Sequence, residues 1–256
     1  MAPEKTFGGR LKIWKILVFS LSLLAPAWAD GGRAYVVYNP VKTDFGRIVE
    51  TAFKQNKSFE ELTDRITKTY KLPRDLTLVF GETGQARTWY DPEHHRIMMS
   101  YEFIQALTQF FSTRLNDASE LDSSVAGCVL FSAYHEFGLA LISELDIPTT
   151  GSDEDAADEL GAYLLGHSGN EPAKSALAAA HWFSLLKKDD VGVAIWDDHM
   201  PEQSKLFAML GLVYAADPAR YVFLQGVVPE AALQHGVAEY PRKEHNWARL
   251  LKEFQH

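Results

Sequence analysis

The chain has 256 residues, 46% of them hydrophobic and 23% charged, the balance of a globular protein with material for one sizeable core, which excludes a disordered or collagen-like chain. Lys and Arg number 25 against 34 Asp and Glu, net −9, and no basic stripe is present to track a phosphate backbone, so nucleic acid is not an expected partner. The single cysteine, Cys128, excludes an internal disulfide framework and a Cys-rich zinc cluster; a metal here would need His and carboxylate ligands.

The first residues read as an export signal. Lys5, Arg10, Lys12 and Lys15 form a positive segment, Ile16 to Ala29 is apolar apart from Ser20 and Ser22, and Ala27-Trp28-Ala29 supplies a small-x-small cleavage pattern before Asp30. The apolar run of 14 residues falls short of the roughly 18 needed to span a bilayer, so no membrane span is expected after cleavage. Removing residues 1–29 takes away four basic residues and one acidic residue, leaving 21 against 33 and a net charge of −12. The expectation is an exported protein, periplasmic or secreted, with residues 30–256 as a single domain: no repeat, low-complexity tract or long linker divides them.

Taken in order, Arg33 to Tyr38 reads as a strand stopped by Asn39-Pro40, and Phe45 to Tyr70 as a helical region broken by Leu72-Pro73-Arg74-Asp75. Leu76 to Phe80 reads as a short strand, Trp89-Tyr90-Asp91-Pro92 as a turn, and Arg96 to Ser100 as the second strand of a hairpin. From Tyr101 the chain turns helical, with Phe103, Leu107 and Phe110/Phe111 on one face. The fold class is therefore α+β, a small N-terminal sheet followed by a mainly helical part.

Between Ser123 and Leu145 apolar residues cover all sides of a helix, which marks it as buried on most of its circumference. His135 and Glu136 sit in its middle and need partners, because burying a polar group costs free energy unless it is paired. A core histidine bonded to backbone with a glutamate reaching solvent is one reading; a metal site is the other. After Ile147-Pro148-Thr149-Thr150-Gly151, Ser152 or Asp153 caps a further helix whose acidic start suits its N-terminus. Capping does not explain Glu154 and Asp158, like charges at i, i+4. A divalent cation on the first, with the second bonded to a metal-ligating histidine, would remove that conflict.

His135-Glu136-Phe137-Gly138 followed by Glu154-Asp155-Ala156-Ala157-Asp158 resembles the active-site helices of gluzincin metallopeptidases, an HExxH helix and then a glutamate on the next. More closely, it resembles a family of exported bacterial metallopeptidase-type proteins of unknown substrate, recorded mainly as a domain of unknown function, whose text runs Tyr-HELGHALI, a Leu-Pro turn, then Glu-Asp-Ala-Ala-Asp. Here the matching stretches are Tyr134 to Ile142, Asp146-Ile147-Pro148 and Glu154 to Asp158, with further likeness at Leu72 to Leu76, Tyr90 to Pro92, Ser100 to Glu102, Trp196 to His199 and Tyr214 to Pro218. The resemblance implies a zincin-like fold with a buried active-site helix, His135 and Glu154 as zinc ligands, Glu136 as the base that activates metal-bound water, and Asp158 orienting a ligand from behind. It implies a peptide or protein substrate, with the Arg96 to Ser100 strand as the edge strand that pairs with it.

The departure is at Leu139. Only i and i+4 bring two imidazoles to one metal from one helical turn, and leucine coordinates nothing. Three alternatives stand open: a third ligand from elsewhere, His199 first and His167 second; a catalytically inactive relative that binds a peptide or protein partner in the same cleft; or a sporadic change in an active lineage. His199 and Tyr214 are also candidate transition-state stabilisers. His94-His95 follows a proline and reads as surface, and Cys128 as a small core residue. Trp182 and Phe183, and Trp247, Leu250, Leu251 and Phe254 in a final helix, read as core-facing stripes.

Overall fold

The computed structural model describes residues 31–169, 174–178 and 203–256. The export segment, Trp182, Phe183 and the Trp196 to His199 stretch lie outside the described residues. The chain enters as β1 (Ala34–Tyr38), then α1 (Asp44–Asn56) and α2 (Ser58–Thr69). Thr43 caps α1 by accepting from the Gly46 N–H, and Lys57, left-handed at φ 61°, splits the expected single helical region into two. Next come β2 (Leu76–Gly81), β3 (Thr88–Asp91) and β4 (Arg96–Ser100), followed by α3 (Tyr101–Ser112), α4 (Ala118–Glu144) and α5 (Asp153–Gly166). The last long helices are α6 (Gln203–Ala216) and α7 (Glu230–Leu251). This is the α+β architecture expected: a four-stranded sheet early in the chain and helices after it.

The strands lie in the order β1-β2-β4-β3, with β1, β2 and β4 parallel and β3 antiparallel to β4. Two expectations change. Leu76 to Phe80 and Arg96 to Ser100 are not a hairpin but parallel neighbours, and Arg96–Ser100 is an inner strand, so among the described residues the edge on that side is β3. Trp89 and Tyr90 favour extended backbone strongly enough to outweigh the turn signal of Asp91-Pro92, and the reversal falls one step later, ending at His95 with φ 51°. Leu78, Phe80, Ile97 and Met99 are fully buried on one face of the inner strands, and Val79 and Met98 are buried on the other. Cover on both faces explains the near-continuous apolar runs.

α4 runs 27 residues and is buried nearly all round from Ser124 onward. It is long and apolar enough to cross a bilayer by composition, yet it is the core helix of this fold. Asp117 caps it, and Ser152 caps α5 by accepting from the Asp155 N–H at 3.1 Å. α5 returns antiparallel against α4 at two glycines. A Cβ on Gly138 would stand 2.5 Å from the Ala157 carbonyl oxygen, and one on Gly161 would stand 3.1 Å from the Tyr134 oxygen and 3.3 Å from the His135 Cα. α6 and α7 cross in the same way, at Gly211 and Gly236. Trp247 and Leu251 are buried as expected, while Phe254 lies beyond the helix in a short 3-10 turn.

Gly138→Ala forces a methyl group into backbone that has nowhere to go, and it is expected to destabilise the fold by about 1–3 kcal/mol. Gly169→Ala meets nothing within 4 Å and should stay within about 0.5 kcal/mol of the parent. Urea melts of the two variants beside the parent check both values.

Candidate functional site

Between Gly127 and Ile142 on α4, the residues that are not buried are His135 and Leu139. Spaced i, i+4, they share one side of the helix, and this is the side on which α4 opens to its surroundings. α5 brings two carboxylates to it. The His135 Nδ1 is 2.8 Å from the Asp158 Oδ1, and its Nε2 is 3.3 Å from the Glu154 Oε2. The close approach at Gly138 and Gly161 makes this reach possible, since both glycines flank the His135–Asp158 pair. Burial opposes a charge on His135, but the bonds to Asp158 and then Glu154 outweigh it, and the imidazole is pushed up to about 10. An imidazolium between them relieves the i, i+4 repulsion of Glu154 and Asp158.

Glu136, about 100° round the helix from His135, turns to the sheet. It is 4% exposed and does not reach solvent at the helix edge. Its Oε1 accepts from the Thr88 hydroxyl on β3 at 2.8 Å, while its Oε2 is buried with no hydrogen-bond partner. Burial raises the carboxyl above its ordinary range, against the lowering effects of the His135 charge and the Thr88 bond. Edge strand β3 thus lies directly over the polar middle of α4.

A second carboxylate of α4 engages the same strand. Glu144 accepts from the Tyr90 hydroxyl at 2.5 Å, meets the His95 Nδ1 at 2.8 Å and lies 3.3 Å from the Arg74 Nε. Glu144 was not among the residues expected at the site, although an acid in the last turn of a helix sits against the dipole and calls for a cation. His94 is exposed and bonds Asp91 at 2.9 Å, as a surface residue does. His95 differs from the surface expectation: it is half-buried, and its left-handed backbone turns the ring inward to Glu144.

The remaining candidates lie elsewhere. His167 caps the far end of α5, its Nδ1 on the Tyr163 carbonyl at 2.8 Å and its Nε2 3.6 Å from Glu244. Thirteen helical residues separate it from Glu154, about 20 Å at 1.5 Å per residue, so it is no ligand beside His135. The Tyr214 hydroxyl accepts from the Gln225 amide at 2.6 Å, and Ala216, two residues on, abuts Gly166 at that same far end of α5. His199 lies outside the described residues. Cys128 is buried and free, in keeping with a core role.

A hydrolytic zinc site takes three protein ligands and leaves a fourth position for water. The described residues offer two at this place, His135 and Glu154, with the Leu139 side chain where a second imidazole would stand. Among the described residues no group of three or more His, Cys, Asp and Glu is arranged to hold a metal ion. The described donor set therefore does not fit catalytic zinc.

A family model described as "Putative metallopeptidase" matches residues 38–251, a span that takes in the sheet, α4 and α5. No curated protein and no solved structure matches the chain. The description implies a metal as the group on which the family's chemistry turns. By the extent of that match, the chain belongs to this metallopeptidase family.

Proposed function

We propose that this chain is a member of the metallopeptidase family that has given up zinc hydrolysis and uses the open side of α4, beside β3, to hold an extended polypeptide in the cell envelope. One observation carries the reading. Leu139 stands on the same side of α4 as His135, one turn along, at the place where the HExxH pattern requires its second imidazole. Two ligands do not secure zinc, and second-layer losses alone typically cost ~10 to 100-fold in metal affinity or activity. His135 has other work: both ring nitrogens face carboxylates of α5. Its proton supplies the positive charge that Glu154 and Asp158 call for.

The binding half of the reading is supported by the sheet. Among the described residues β3 pairs with β4 alone and no strand lies on its outer side. A free strand edge offers main-chain donors and acceptors to an extended chain, and such pairing takes affinity from backbone, with neighbouring pockets adding selectivity.

Elemental analysis of the purified protein tests this. Zinc is expected well below one per chain in the parent and near one per chain in Leu139→His, and it should be lost again when Glu154→Ala is added. Stoichiometric zinc in the parent would overturn the reading, and His199→Ala would then identify the third ligand. A second test uses casein, an unfolded polypeptide: it should bind the parent and emerge uncut after prolonged incubation.

The envelope location rests on the N-terminal pattern. Expressed in a bacterium with its own first residues, the protein is expected outside the cytoplasm with a mature chain starting at Asp30. Intact-mass measurement checks this, and a chain that retains residues 1–29 contradicts it.

A further inference from the structure

Glu144 has no part in the reading above, yet the fold spends three partners on it. Its side chain is 3% exposed, and it lies eight residues beyond Glu136, about two turns along α4. A buried carboxylate in the last turn of a helix is unfavourable twice over, through lost hydration and through the dipole. Tyr90, His95 and Arg74 offset this, and the Arg74 Nη1 also lies 3.3 Å from the His95 Nε2, which ties the partners to one another. None of them comes from a helix: Arg74 precedes β2, Tyr90 is in β3, and His95 closes the β3–β4 turn.

Tyr90 is two residues from Thr88, so the two side chains leave β3 on the same face. Thr88 meets Glu136 and Tyr90 meets Glu144. β3 is therefore fastened across α4 at two points along the helix. A strand of four residues with one neighbour is weakly held by its ladder alone. Of the two fastenings, the one at Glu144 is the stronger, with a hydroxyl, an imidazole and a guanidinium on one carboxylate, the last two able to carry charge, against the Thr88 hydroxyl and the Tyr90 backbone N–H at Glu136.

We propose that Glu144 is a positioning residue for the site: through Tyr90, His95 and Arg74 it fixes edge strand β3 over α4, and so sets where Thr88 meets Glu136 and where an incoming polypeptide finds the strand edge. The proposal rests on the reading of β3 as the strand that receives polypeptide. Its own content, that Glu144 holds β3 in place, is measurable apart from that reading.

Hydrogen exchange followed by mass spectrometry on the parent chain, Glu144→Gln and Tyr90→Phe tests it, beside titration of each with casein. Exchange in peptides spanning Thr88–Asp91 is expected to rise about tenfold or more in both variants, while peptides from Leu76–Gly81 keep the parent rate. Unchanged exchange in β3 overturns the proposal. So does a rise by the same factor throughout the chain, because that is general loss of stability rather than release of one strand. Tyr90→Phe deletes one hydroxyl oxygen and carries the test if Glu144→Gln does not fold. Weaker casein binding alongside the local rise supports the positioning role at the site. A parent that binds no casein, with β3 still loosened in both variants, overturns the polypeptide reading and leaves Glu144 as the residue that places the strand.

Discussion

The backbone contact between α4 and α5 governs the rest of the site. Gly138 lies against the Ala157 backbone, and Gly161 lies against that of Tyr134 and His135. Without side chains at these two points the helices close until the short Asp158 side chain reaches the imidazole at 2.8 Å. One more methyl group between the helices would separate them by an amount a hydrogen bond does not span. The position of His135, its charge and the neutralisation of Glu154 all follow from a packing distance set by two missing Cβ atoms.

α4 carries His135, Glu136 and Glu144 through a core; α5 answers the first, and β3 with the turn after it answers the other two. His135 is met by α5, Glu136 by the hydroxyl of Thr88 on β3, and Glu144 by the β3–β4 hairpin with Arg74. This division links packing to function. The polar groups that make α4 expensive to bury are the same groups that fix α5 on one side and the edge strand on the other. Buried ionic groups of this kind add little net stability, since desolvation offsets much of the attraction. What they fix is geometry, because a misplaced partner leaves an uncompensated charge inside the protein.

Much of this was legible in the sequence, for identifiable reasons. α4 showed itself by an apolar run that leaves no polar face, and α5 by a serine cap and an acidic first turn; both rest on local chemistry that tertiary structure had no cause to override. The grouping of His135, Glu154 and Asp158 followed from a conflict, two carboxylates stacked at i, i+4 with no local cation. Strand order was not legible. Leu76 to Phe80 and Arg96 to Ser100 look alike as sequence, and whether they pair parallel depends on where the segment between them goes. That segment was obscured because Trp89 and Tyr90 sit directly before Asp91-Pro92, so strand and turn signals overlap. His95 was misread for a related reason. Its exposure depends on a left-handed backbone at one residue and on a glutamate 49 positions away, and neither leaves a local trace.

The geometry also explains how the fold accommodates leucine where the HExxH pattern has its second histidine. Leu139 is half-buried and packs against the hydrophobic core, so an alkyl group is accommodated there. The charge that a metal would bring to the carboxylates of α5 is supplied by a proton on His135, held by the same two groups. Edge strand β3 takes its position from Glu136 and Glu144, which depend on hydrogen bonds and not on coordination. With leucine at position 139 both the helix pair and the strand therefore keep their places. In a scaffold built this way the parts that would place a polypeptide, β3 and its two carboxylates, are separate from the place on α4 where a metal would activate water.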